Sequence, residues 1–159
     1  MHIYIIGIGP GNPELLTIEA KKAIAQSSIL VGDKRMISAE TKTDKEVYET
    51  YNSSEIRRIA AAHADRNDTM AVLVSGDVGF FSLASLLKDI PGCTVTRIPG
   101  ISSLVYFAAK LQTPWQDVYC ISRHGRQTPF VWAVQCHPKV FCLTGGHDSV
   151  SALCQELCQ

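Results

Sequence analysis

Short runs of β-branched and aliphatic residues alternate along the chain with longer stretches whose apolar positions recur at helical spacing. Residues 2–8 predict a first strand, which runs into the loop Gly7-Ile8-Gly9-Pro10-Gly11-Asn12-Pro13. Leu16, Ala20, Ala23 and Ile24 then share one face of a helix over residues 17–26. Residues 28–31 predict a second strand, and 53–64 a helix with Ser53 or Ser54 as its cap and Ile56, Ile59 and Ala60 on one side. Residues 69–74 form the strongest buried-strand pattern, ending in Ser75-Gly76-Asp77. Helices at 81–88 and 102–110 flank a strand at 93–98, and another strand follows at 117–122. A last set comprises a helix at 130–135, a strand at 139–143 and a helix at 149–157. This alternation predicts an α/β fold: an N-terminal, mainly parallel sheet domain with flanking helices, followed by the start of a second α/β domain.

A composition shift places the domain boundary at a linker over 123–129, which divides a first domain at 1–122 from a second at 130–159. The second stretch is too short for an independent core. Either it docks on the first domain or the chain is a piece of a longer protein, and the latter is the expectation.

With 159 residues, 46% of them apolar and 19% charged, the chain can bury enough side chains to offset its ordering entropy, which excludes a disordered protein. Fifteen basic residues balance fifteen acidic ones, so nothing in the bulk charge favours nucleic acid. No apolar run approaches the roughly 18 residues of a membrane span, and residues 1–7 lack a signal peptide's basic head, so the expected setting is cytoplasmic. The six cysteines carry no C-x-x-C and read as small apolar residues of a reducing compartment, not as disulfide or metal ligands.

Three loops fall at the C-terminal ends of predicted parallel strands, the edge where open α/β sheets bind ligands. In the first, Gly9 lets the backbone approach a ligand and Pro10 stiffens the turn; the third glycine of a dinucleotide fingerprint is replaced by Asn12. In the second, Asp77 between Gly76 and Gly79 is either a helix cap or an acceptor for a ribose or amine. In the third, Pro99-Gly100-Ile101-Ser102-Ser103, the hydroxyls cap a helix or face a polar cofactor. His124-Gly125-Arg126 is either a solvated linker or an anion contact. No nucleophile elbow, Walker lysine or metalloprotease motif occurs, so no catalytic nucleophile and no metal ligand is assigned. A cleft of backbone and small polar groups suits group transfer in which a bound cofactor carries the reactive atom.

Taken in order, the stretches 5–17, Val31-Gly32-Asp33-Lys34-Arg35, 74–82 and 99–103 resemble the tetrapyrrole (corrin/porphyrin) methylase family of S-adenosylmethionine-dependent enzymes. Pro114-Trp115-x-Asp117-Val118 followed by Ser122-x-His124-Gly125-Arg126 looks most like its carbon-5 branch, which acts on precorrin-6Y or cobalt-precorrin-7 in cobalamin biosynthesis. Val78 stands where the family commonly has proline. The resemblance implies a methyltransferase with S-adenosyl-L-methionine held by Gly9, Pro10, Gly76, Asp77, Phe80, Ser102 and Ser103, and from the second domain by Leu143 and Thr144. A corrinoid with many carboxylates would be anchored by His124, Arg126, Lys34 and Arg35, with methylation at carbon 5 and carbon 15 left open. The resemblance also implies a homodimer, with neither nucleic acid nor membrane as partner. Two other readings stand beside it: a nicotinamide-dependent oxidoreductase, for which Asp33 would hold the ribose, and a truncated, non-catalytic binding module.

Overall fold

The structure, a computed structural model, describes residues 1–37, 44–66, 68–145 and 149–158. Its α/β architecture divides into two compact units, Met1–Tyr106 and Phe107–Gln159. In the first, five parallel strands stand in the order β3-β2-β4-β1-β5: β1 His2–Gly7, β2 Ile29–Gly32, β3 Glu46–Glu49, β4 Thr69–Val74 and β5 Thr94–Ile98. β1 pairs with β4 from His2↔Thr69 to Gly7↔Val74, so the two central strands end level with each other. Helices α1 (Ile18–Gln26), α2 (Lys34–Ile37) and α3 (Ser53–Ala62) cross over the sheet, and α4 (Ser103–Lys110) spans the division between the units.

Side-chain alternation along the strands builds two cores, one on each face of the sheet. Ile6, Leu30, Ala71, Leu73 and Ile98 pack with Ala20, Ala23 and Ile24 of α1 and with Met36 and Ile37 of α2. Ile3, Ile5, Val31, Met70, Val72 and Val74 pack with Ile56, Ile59 and Ala60 of α3 and with Ala84 and Leu87. Both faces are covered, which is why β4 reads as a continuous apolar run and not as an alternating one. Truncating a fully buried member such as Ile5 or Leu73 to alanine costs about 2–5 kcal/mol.

The predicted helix at 81–88 shrinks to a 3-10 turn, Leu83–Leu86. Phe81 and Asp89 both have positive φ (50° and 49°), which breaks the helix at either end. The Arg57 guanidinium takes the carbonyls of Leu86, Lys88 and Asp89 at 2.8, 2.8 and 3.2 Å, so these groups are satisfied outside a helical ladder. The α3 cap is Asn52, one residue before the expected serines; its Oδ1 accepts from the amides of Ser54 and Glu55. α2 and β3, four residues each, were not anticipated.

In the second unit, β6 (Tyr119–Ser122) pairs in parallel with β7 (Val140–Leu143), and α5 (Phe130–Cys136) forms the crossover between them. Ile121, Phe130, Ala133 and Leu153 of α6 (Val150–Leu157) make a small core. The strand over 117–122 therefore pairs with β7 and not with the five-stranded sheet, and residues 123–129 connect β6 to α5 inside this unit. The free cysteines depart from the buried reading: Cys136, Cys154 and Cys158 are exposed, and the other three are half-buried, Cys93 and Cys142 packing against the edges of the cores. No helix among the described residues is long and apolar enough to cross a membrane.

Candidate functional site

Parallel pairing brings the C-terminal ends of β1, β2, β4 and β5 to one edge of the first unit. The loops that leave this edge are joined through their main chains. Gly9 and Gly76 exchange two backbone hydrogen bonds, 3.0 and 2.9 Å, across the gap between the β1 and β4 loops. Asp77 ties the third loop in: its Oδ1 accepts from Gly79 N at 2.8 Å and its Oδ2 from Gly100 N at 3.1 Å. Such closeness requires the absence of side chains. A Cβ on Gly7 would lie 2.6 Å from the Gly76 carbonyl oxygen and 2.7 Å from Gly100 N, and one on Gly100 would strike the Gly7 and Gly76 carbonyls.

Beside this junction lies a cavity of about 290 Å³, lined by residues 8–13, Leu16, Arg35, Met36 and Ser75. Its size is of the order of a small-ligand site, and its position is the one expected for an open parallel sheet. Gly9 and Gly11 turn the loop around it with φ of +73° and +100°, a region open to glycine. Asn12 Oδ1 accepts from Glu14 N at 2.9 Å and so caps the 3-10 turn Pro13–Leu15 that closes one side. Arg35 is fixed at the rim by Asp33, whose Oδ1 accepts from Arg35 N at 2.9 Å and from its Nε at 3.1 Å. The Arg35 amide and then its guanidinium hold the Asp33 carboxyl below its usual range.

Of the residues picked out from sequence, Gly9, Pro10 and Arg35 line the cavity. Gly76 and Asp77 form the junction next to it, and Asp77 spends both carboxylate oxygens on the main chain. Ser102 is buried and caps α4, its Oγ accepting from Val105 N at 3.2 Å. Ser103 is the first residue of α4 and half-buried, Phe80 lies edge-on to Phe81, and Lys34 is exposed on α2. In the second unit, Leu143 ends β7 half-buried, Thr144 follows it exposed, and His124 and Arg126 stand exposed on the loop after β6. Asp33, the ribose ligand of the nicotinamide reading, is instead engaged with α2.

Met36, Ser75 and Tyr51 escaped the sequence reading. Met36 and Ser75 line the cavity from separate elements. Burial pushes the Tyr51 phenol up, the Ser75 backbone bond pulls it down, and the Asp33 charge adds to the rise.

The chain is similar to known proteins over most of its length. It is 36% identical over 129 residues to a Methanocaldococcus jannaschii protein named as a probable cobalt-precorrin-7 C(5)-methyltransferase, covering 79% of this chain and 61% of that relative's length. The solved structure of a precorrin-6Y methylase of cobalamin biosynthesis from Archaeoglobus fulgidus superposes with a TM-score of 0.71 at 22% identity, covering 96% of this chain and 78% of that one. A uroporphyrin-III C-methyl transferase from Thermus thermophilus, solved with S-adenyl homocysteine, gives a TM-score of 0.72 at 22% identity over 98% and 76% of the two chains. Residues 2–159 match the profile of the Tetrapyrrole (Corrin/Porphyrin) Methylases, and the chain belongs to that family.

Proposed function

We propose that this chain is, or forms part of, an S-adenosylmethionine-dependent C-methyltransferase that methylates carbon 5 of a precorrin or cobalt-precorrin macrocycle in cobalamin biosynthesis. The observation that carries this reading is the junction of three loops at one sheet edge, built from Gly7, Gly9, Gly76 and Gly100 and stapled by Asp77, with a cavity beside it. Family membership supports the reaction class, and the Methanocaldococcus jannaschii relative supports carbon 5. The likeness to a protein solved with S-adenyl homocysteine supports the cofactor.

The residues fit that cofactor. A glycine loop leaves main-chain donors and acceptors within reach of a ligand, and Asn12 and Ser75 add small polar groups. When bound, S-adenosylmethionine supplies an electrophilic methyl group. Gly9, Pro10 and Gly76 would hold it against the edge, with Asp77 acting through the loops it joins. Phe80, Ser102, Ser103, Leu143 and Thr144 stay in the proposal from the family resemblance. Asp77 is committed to two amides and is poorly placed to take a proton. The contribution of the protein is therefore alignment and exclusion of water, which can supply about 7 kcal/mol of the barrier. Arg126, Arg35, Lys34 and His124 would anchor the carboxylates of the macrocycle, guanidinium groups doing so in bidentate fashion. The same reading expects a cytoplasmic homodimer.

Calorimetry tests the cofactor half directly. S-adenosylhomocysteine should bind and NAD should not. Binding of NAD, or of neither, would overturn the proposal in favour of an oxidoreductase or a non-catalytic module.

A further inference from the structure

The loop that carries His124 and Arg126 is held by more than its own turn. At its start, Arg123 N donates to Leu143 O at 2.8 Å, which extends the pairing of β6 and β7 by one residue. His124 N donates to the hydroxyl of buried Ser122 at 3.3 Å. At its end, Thr128 Oγ1 donates to Ser122 O at 2.7 Å, so the loop returns to the point where it left the strand. The Arg123 side chain, four-fifths shielded from solvent, joins the two ends: its Nη1 donates to Thr128 O at 3.1 Å, while its Nη2 lies 3.5 Å from Glu156 Oε2 on α6. Residues 124–127, all exposed, project from this base and turn at Gly125, where φ is +65°. The His124 ring turns its Nδ1 edge toward the main chain of Gly145: a Cβ there would sit 2.8 Å from its Cε1 and 3.0 Å from its Cγ, and closer still to Nδ1.

We infer that Arg123 is a positioning residue, which with Glu156 and the bare backbone of Gly145 fixes the 124–127 loop so that His124 and Arg126 present their side chains to an anionic, polycarboxylate substrate. The inference rests on the substrate reading above. A bidentate clamp on one carboxylate and a second donor on another require the two side chains to keep a set separation; without a clamp, a four-residue exposed loop with a glycine would lose rotamer and backbone freedom on binding. Arg123 faces Thr128 and Glu156, so its effect on substrate runs through the loop and not through contact.

The test titrates the full chain with uroporphyrin III, a tetrapyrrole carrying eight carboxylates, followed by tryptophan quenching, with S-adenosylhomocysteine titrated in parallel. Arg123→Lys keeps the charge but loses the fork, and is expected to weaken macrocycle binding about tenfold, the scale of one charge-assisted hydrogen bond, with S-adenosylhomocysteine affinity unchanged. Gly145→Ala should weaken the macrocycle comparably by displacing the His124 ring, and it serves if Arg123 variants fold poorly. The double variant Arg123→Lys with Arg126→Ala decides the route: a residue acting through the loop adds little once Arg126 is gone, whereas a direct contact adds its full effect. Additive losses, or macrocycle affinity unmoved in folded Arg123→Lys and Gly145→Ala, would overturn the clamp alone. Failure of the unaltered chain to bind the macrocycle would overturn the substrate reading and the clamp with it.

Discussion

Replacing Gly7 with alanine probes the loop junction at its tightest point. The backbone of Gly7 is extended, so alanine is conformationally acceptable there and the cost is steric. The new methyl would lie 2.6 Å from Gly76 O and 2.7 Å from Gly100 N, well inside ordinary contact, and both obstacles are main chain that cannot rotate away. Overpacking of this kind costs about 3 kcal/mol. The lower unfolded-state entropy of alanine returns about 0.7 kcal/mol, which leaves a net loss of about 2 kcal/mol. For a chain of this size that is a fall in Tm of about 4–8 °C. The movement that relieves the clash also pulls apart the Gly9–Gly76 pair and the Asp77–Gly100 bond, so S-adenosylhomocysteine affinity should fall with stability. Gly100→Ala meets the same atoms, so the double variant should lose less than the sum of the singles. Differential scanning calorimetry with and without S-adenosylhomocysteine reads both effects. An alanine variant with unchanged Tm and unchanged affinity would refute the reasoning.

Asp77→Asn retains one acceptor where two amides now bond, and should cost about 1–3 kcal/mol in urea denaturation while weakening cofactor binding. Asn52→Ala removes the α3 cap and should lower stability by about 1 kcal/mol with S-adenosylhomocysteine binding intact, since Asn52 does not line the cavity. The Asp33 carboxyl is held below its ordinary range in the folded chain, so its contribution is present above about pH 4 and lost as pH falls through the lower folded value; Asp33→Asn should flatten the acid limb of a stability–pH profile. An acid limb identical in the two proteins would show that Arg35 does not hold this group.

The central strands were legible because burial leaves a continuous apolar run in β4 and a largely aliphatic one in β1, where only His2 and Tyr4 interrupt it. The edge strand β3, with Glu46, Val47 and Glu49 exposed, carries no such signature, and α2 is a single turn whose two buried residues show no period. The shortened helix after β4 depended on a guanidinium 29 positions upstream of the first carbonyl it takes, at Arg57, which no local pattern reveals. Gly9 and Pro10 drew notice because their loop follows a strand at the ligand-binding edge of a parallel sheet, and both line the cavity there, although glycine in such turns serves close packing as often. Ser75 and Met36 were not legible, since only pairing of β2 with β4 brings their neighbourhoods together, and Tyr51 is brought near Ser75 by the further pairing of β3 with β2. Asp77 was read as either a cap or a ligand, and it does something intermediate: it fastens two loops to each other.

The short outer strand β3 has a bearing on solubility. A sheet margin offers unsatisfied amides and carbonyls to any passing chain, and a protein whose acids and bases cancel has little long-range repulsion to keep copies apart. Glu46 and Glu49, standing exposed at either end of that margin, would face their own counterparts if two molecules tried to zip together there. Glu46→Val with Glu49→Val should therefore promote concentration-dependent aggregation, visible by light scattering, a consequence of two charges that take no part in lining the cavity.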